Sequence, residues 1–252
     1  MGTGQGTALT AMQIPIRGVL FDKDGTLIDF QKSWGPVMRS LALRFADGEE
    51  AEALRLMIAA GYDPATDTYR SGSVAAAGTS VDLCDLWRPG LAPDRRAATI
   101  AEIDAHFARG AIDHAAPVCP LDAVFSVLEA EGLVLGVATN DATLSAELCL
   151  EALGVRHRLF SVHGWDSVAS AKPAPDMVHA FCAAADLLPA EVAVVGDNLH
   201  DLHMAAAAGA GLKIGVLSGN SRREHLERHA DIVIEDISCL PAVLSDRRRL
   251  AG

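Results

Sequence analysis

Between residues 117 and 234 short apolar runs alternate with longer stretches of helical spacing, and this alternation limits what the chain can fold into more than any other feature. The runs fall at 133–138, 159–162, 192–195, 212–216 and 232–234. Helical patterns fill the gaps at 143–153 (closed by Gly154), 175–185, 199–208 and 221–229, with one more at 121–131 ahead of the first run. Short strands separated by helices predict a parallel sheet, because each crossover helix returns the chain to the end from which it left. Ile14, Ile16 and the run 18–21 add a further strand, of the kind buried on both faces. The expected fold is α/β, a doubly wound parallel sheet. A chain of 252 residues, 50% of them hydrophobic, can cover both faces of such a sheet.

The stretch from 34 to 116 has a different texture. Apolar residues recur at helical spacing as Val37, Leu41 and Phe45, then as Ala53, Leu54, Met57 and Ile58 before a stop at Gly61. Helices are also expected at 81–87 and at 94–109, the latter opened by Pro93-Asp94. Residues 62–73, with Asp63-Pro64 and Ser71-Gly72-Ser73, read as a loop between helices. No run in this stretch has a strand pattern. The division expected is a flexible tail at 1–12, an α/β core at 13–32 and 117–252, and a helical insert at 33–116.

Ligands of open parallel sheets bind outside the carboxyl ends of the strands, and four polar sets stand there. Asp22 and Asp24 follow the first strand, with Gly25 permitting a sharp turn. One carboxylate of such a pair can act as nucleophile or metal ligand while the other moves protons, although Asp and Gly after a strand also simply start loops. Thr139-Asn140 follow 133–138, where a hydroxyl and the amides opening the next helix could hold an anion or only cap the helix. Lys172 sits in Ala171-Lys172-Pro173-Ala174-Pro175, where its ammonium could face a phosphoryl group or solvent. Asp197 and Asp201 follow 192–195; four residues apart, they are expected on one helix face, suited to an oxygen-liking cation or to a cap and a surface position.

Taken together and in this order, the string Asp22, Asp24, Gly25, Thr26, then Thr139-Asn140, Lys172, and Asp197 with Asp201 resembles the four motifs of the haloacid dehalogenase superfamily. The likeness spans 16 to about 234 and is strongest to the phosphoglycolate phosphatase-like branch, in which a helical cap is inserted after the first motif. It implies a Mg2+-dependent phosphomonoester hydrolase acting on a small phosphorylated metabolite, phosphoglycolate among the candidates. Asp22 would attack phosphorus and carry an aspartyl-phosphate, while Asp24 would protonate the leaving alcohol and then activate water. Asp22, the backbone carbonyl of Asp24 and Asp197 would hold Mg2+. Thr139 and the Asn140 amide would position phosphoryl oxygens, Lys172 would offset charge, and Asp201 would orient metal-bound water or Lys172.

Neighbouring activities separate by single residues. Asp24 argues against a dehalogenase, whose halide leaving group needs no proton, and a Schiff-base mechanism lacks its cap lysine, since 33–116 contains none. A sugar-phosphate mutase and a non-catalytic binding protein on the same fold are the alternatives. Substrate choice is assigned to the loop carrying Arg70, Ser71 and Ser73, because a loop of the cap is the part expected to reach the site and a guanidinium can grip a carboxylate. His200 and His203 flank Asp201 at a spacing that transition-metal ligands also use, and no role is assigned to them. The net charge of −12 opposes binding to nucleic acid or an anionic membrane, and no apolar run is long enough for a membrane span. Five widely spaced cysteines suggest neither a disulfide framework nor zinc, so a reducing cytoplasm is expected. Neither monomer nor homodimer is favoured.

Overall fold

The computed structural model describes residues 14–251, with side chains to Arg247; the tail expected at 1–12 lies outside the described residues. The chain runs β1 (Gly18–Phe21), α1 (Phe30–Phe45), α2 (Glu50–Ala59), β2 (Tyr62–Asp63), β3 (Thr68–Tyr69), α3 (Val74–Ala77), α4 (Ser80–Trp87) and α5 (Pro93–His114). It continues with α6 (Leu121–Ala130), β4 (Val134–Ala138), α7 (Thr143–Ala152), β5 (Ser161–His163), α8 (Asp176–Ala185), β6 (Val192–Gly196), α9 (Leu199–Ala208), β7 (Leu212–Val216), α10 (Arg223–Leu226), β8 (Ile232–Ile234) and α11 (Leu240–Ala251).

The larger sheet has the order β5-β4-β1-β6-β7-β8, and each pairing in it is parallel. β1 is therefore central, with Gly18 level with Val134 on one side and Val192 on the other. Alternation divides its side chains between two cores. Val19 and Phe21 join Phe125, Leu128 and Cys149 of α6 and α7, while Leu20 joins Met177, Phe181 and Met204 of α8 and α9. The chain leaves β1 for the helical segment and later returns to β4 on one side and β6 on the other. The carboxyl end of β1 thus stands at the switch point of the sheet.

Helices α1 to α5 form the inserted segment. α1 begins at Phe30, one turn earlier than the apolar spacing suggests, because the Asp29 side chain accepts from the Lys32 amide and caps it. α5 packs on α1 and α4 and also lies along α7 of the sheet unit. The two connections into and out of this segment run side by side: the Asp29 amide donates to Ala116 O, and the Val118 amide to Leu27 O.

Four expectations need correction. Residues 62–73 are not merely a loop, since β2 and β3 pair antiparallel with Tyr62 opposite Tyr69, both rings buried; strands this short carry no readable period. The helix expected at 221–229 is reduced to α10. α11 has no counterpart among the expected elements, although Leu240 and Leu244 are buried. Finally, Asp197 and Asp201 do not share a helix face, because α9 begins only at Leu199 and Asp197 stands in the turn before it.

Candidate active site

Residues that follow β1, β4 and β6, together with Lys172, line one acidic cavity. Where β1 stops, the Asp22 amide donates to Val195 O at 2.8 Å, tying the start of the turn to the neighbouring strand. Lys172, 6% exposed, donates from Nζ to Asp22 Oδ1 at 2.7 Å and to Asp201 Oδ1 at 2.6 Å. The other Asp201 oxygen accepts the Asn198 amide at 3.0 Å and completes a capping box for α9. Asp197 Oδ2 accepts the Asn220 amide at 3.0 Å. Oxygens of Asp22, Asp197 and Asp201 lie within 4.8 Å of one another.

Three buried carboxylates face one ammonium, and the ionisation of two of them, Asp22 and Asp197, reflects that excess. Burial raises the Asp22 carboxyl, Lys172 pulls it back, and Asp201 and Asp24 push it up again, leaving it at about 7. Burial likewise holds Asp197 well above the usual carboxylate range, with the charges of Asp22 and Asp201 adding to it. Burial works against the charge of Lys172, but Asp201 and Asp22 outweigh it and keep the ammonium above its ordinary value.

The residues fit a hard divalent cation. Asp22 Oδ2 is buried without a hydrogen-bond partner, which is costly for a carboxylate oxygen unless something positive meets it. A carboxyl whose folded pKa lies above 3.8 keeps its proton longer in the folded chain than in the unfolded one. Its contribution to stability is then full at low pH and is lost as pH rises through about 7. A cation bound there would take the place of those protons. Added Mg2+ is therefore expected to raise the melting temperature by several degrees at pH 8 and far less at pH 5. Equal shifts at both pH values would show that these carboxylates do not take it.

Asp24 is held by a separate set of donors. Its Oδ1 accepts from Lys23 Nζ at 2.6 Å and from the Trp34 indole Nε1 of α1, and its Oδ2 from the Thr139 hydroxyl at 3.3 Å. Lys23 is fully buried, with its ammonium 4.6 Å from the centre of the Trp34 ring and 3.2 Å from Asp141 Oδ2. Burial opposes the Lys23 charge, yet Asp24 and Asp141 together hold it well above its ordinary value. Thr139 thus spends its hydroxyl on Asp24 while accepting the Asp141 amide at 3.1 Å. Asn140 links the two parts of the molecule: its Nδ2 donates to Ala77 O at 2.7 Å and its Oδ1 accepts the Lys172 amide at 3.1 Å.

Two glycines make room for this packing. Gly25 has φ +90°, and a Cβ there would lie 2.7 Å from the Asp197 carboxyl carbon. At Gly219 a Cβ would come within 1.9 Å of Asp197 Oδ2.

The structure therefore gathers Asp22, Asp24, Thr139, Asn140, Lys172, Asp197 and Asp201 around one cavity. The loop residues lie along an adjoining groove that shares Asn198 and His200 with this cavity: Arg70 and Ser71 line it with Arg222 and His225, Ser71 meeting Ser221 at 2.7 Å, and Ser73 precedes α3. His200 Nδ1 is 3.3 Å from Ala77 O and the His203 ring packs against His229, so these two histidines do not share a ligand position. Sequence reasoning misses Lys23, Trp34, Asp141 and the loop Ser218-Gly219-Asn220, whose Ser218 hydroxyl donates to Gly25 O at 2.7 Å. The strand-end argument, applied to the run 212–216, would have found that loop.

Residues 16–209 match the model of a family described as haloacid dehalogenase-like hydrolase. The chain is 26% identical over 235 residues to a phosphoglycolate phosphatase of Escherichia coli (strain K12), covering 90% of this chain and 92% of that protein. It is 26% identical over 230 residues to an N-acetylmuramic acid 6-phosphate phosphatase of Pseudomonas aeruginosa, covering 87% and 91%. Among solved structures it superposes on that of a predicted phosphoglycolate phosphatase from Haemophilus somnus 129PT with a TM-score of 0.68 at 21% identity, over 90% of this chain and 97% of the other. Among the described residues no helix is long and apolar enough to cross a membrane.

Proposed function

We propose, because this chain belongs to the haloacid dehalogenase-like hydrolase family, that it is a phosphomonoester hydrolase working through Asp22 on a small phosphorylated metabolite, with residues 33–116 as its cap. The observation that carries the reading is the buried contact of Lys172 with Asp22, beside a second carboxylate, Asp24, with its own donors. Two like groups two residues apart are thereby given different surroundings, as a nucleophile and a proton carrier require.

In the first half-reaction a carboxylate oxygen of Asp22 bonds to phosphorus as the ester P–O bond breaks, and Asp24 gives its proton to the departing alkoxide. In the second, Asp24 takes a proton from water while the water oxygen bonds to phosphorus; phosphate leaves and the Asp22 carboxylate is restored. Lys172 neutralises charge on Asp22 and on the incoming phosphoryl group, which otherwise would repel each other. The amide at Asn140 orients a phosphoryl oxygen once substrate is present, and the Thr139 hydroxyl does so on exchanging its long bond to Asp24 for one to phosphate. Asp22, the carbonyl of Asp24 and Asp197 would hold Mg2+, which when bound supplies positive charge to the phosphoryl oxygens. Asp201 has both oxygens occupied, by Lys172 and by the Asn198 amide, which suits it to fixing Lys172 rather than to ligating the ion.

The test is release of inorganic phosphate from a panel of phosphomonoesters with Mg2+, in the wild type and in Asp24→Asn. The amide cannot donate a proton to an alkoxide, so the loss is expected to be ~100-fold or more for alkyl esters and much smaller for an activated aryl ester that leaves unprotonated. Equal losses on both would remove Asp24 from proton transfer. The five free cysteines agree with a cytoplasmic setting for this activity.

A further inference from the structure

The part of the cavity that faces the acids is built by the inserted segment, α1 included. Phe30, Trp34, Met38, Val74, Leu83 and Phe107 line it, and the Trp34 and Phe107 rings meet edge to face at 5.5 Å and 78°. The polar groups among them are already engaged. The Thr79 and Ser80 hydroxyls donate to Asp82 and Asp104, the Trp34 indole donates to Asp24, and Ala77 O accepts from Asn140. Among the described residues the one Lys or Arg lining this cavity is Lys172, and its ammonium is committed to Asp22 and Asp201. Arg70 and Arg222 line the adjoining groove, beyond Asn198 and His200, and not the cavity itself.

A second negative charge on the substrate would therefore meet apolar carbon on one side and Asp24 and Asp141 on the other, with the neutral amide Nδ2 of Asn198 as the buried donor still without a partner and His200 at the rim. It would lose its water and gain no cation in exchange. A flat or aliphatic leaving group, by contrast, would exchange water for aromatic and methionine surface, a favourable transfer that grows with the area covered.

We propose that the alcohol part of the substrate is uncharged and apolar, an aryl-bearing or alkyl phosphomonoester with no ionised group besides its phosphate, seated against Phe107, Met38 and Leu83. This rests on the phosphatase reading and narrows it. It sets this chain apart from an enzyme for carboxylate-bearing esters such as phosphoglycolate.

Three esters that all release primary alcohols decide the matter: benzyl phosphate, ethyl phosphate and 2-phosphoglycolate, compared by kcat/KM for phosphate release with Mg2+. Benzyl phosphate is expected to exceed 2-phosphoglycolate by ~30-fold or more, about the factor that burying a ring of this size provides. In Phe107→Ala the ratio of benzyl to ethyl phosphate should fall by roughly tenfold; taking the ratio removes any disturbance of Asp24 passed on through Trp34. Turnover of 2-phosphoglycolate equal to or above that of benzyl phosphate overturns the inference and leaves the phosphatase reading standing. An unchanged ratio in Phe107→Ala overturns the placement of the leaving group. Release of phosphate from none of the three overturns the phosphatase reading and the inference with it.

Discussion

Asparagine in place of Asp22 is expected to lower phosphate release by at least roughly a thousandfold, the largest effect of any single change in this chain. The carboxamide is a poor nucleophile, and the substitution also removes the buried oxygen that has no partner and a negative charge from the cluster with Asp197 and Asp201. The shape of the side chain is nearly unchanged. The protein should remain folded, because three carboxylates against one ammonium become two. The informative pairing is therefore activity with melting temperature at pH 8 without metal: turnover should vanish while the melting temperature holds or rises. Activity within tenfold of the wild type would remove Asp22 as the nucleophile. Loss of activity together with a collapse of the fold would show that the Lys172–Asp22 contact, rather than chemistry, dominates at this position.

Lys172→Met should produce the second large effect, this time on both stability and activity. Methionine fills a similar volume but leaves Asp22 and Asp201 without the cation that Nζ brings to 2.7 and 2.6 Å. Breaking one side of a buried ion pair costs about 3–5 kcal/mol. The cost should depend on pH with a definite sign. Asp22 already holds its proton up to about 7 in the native protein. Without the ammonium its folded pKa rises further, so stability is retained where the carboxyls are protonated and is lost as pH increases. Urea unfolding without metal should show a small deficit relative to wild type at pH 5 and the full deficit at pH 8. A deficit of the same size at both values would mean that Lys172 supports the fold through packing and not through charge. Phosphate release should fall at every pH, because phosphoryl charge would then approach an uncompensated Asp22.

Much of this site is legible in the order of residues along the chain. A strand buried on both faces has to end, and the polar residues at its end, Asp22 and Asp24, must stand at the edge of the sheet whatever packs around them. The same local logic locates Thr139, Asn140, Lys172 and Asp197, because apolar runs and helix starts can be read from neighbouring residues. It also fails locally where elements are too short to have a period, as with β2, β3 and α10, and it puts Asp197 on a helix that begins two residues later.

Spacing along the chain is enough, then, for the parallel sheet, the helical character of the insert and the set of acids at the strand ends, since each depends on residues close together in sequence. Only tertiary packing selects what faces those acids. That Lys23 is wholly buried between Asp24 and Asp141 follows from Trp34 closing over it, a contact between the strand end and the first helix of the insert. That Phe107 and Met38 line the cavity follows from how α5 lies along α1 and α7. Such placements come from the packing of surfaces far apart in sequence, where complementary shape and buried area select one arrangement; periodicity says which face of a helix is apolar but not which apolar surface it will meet.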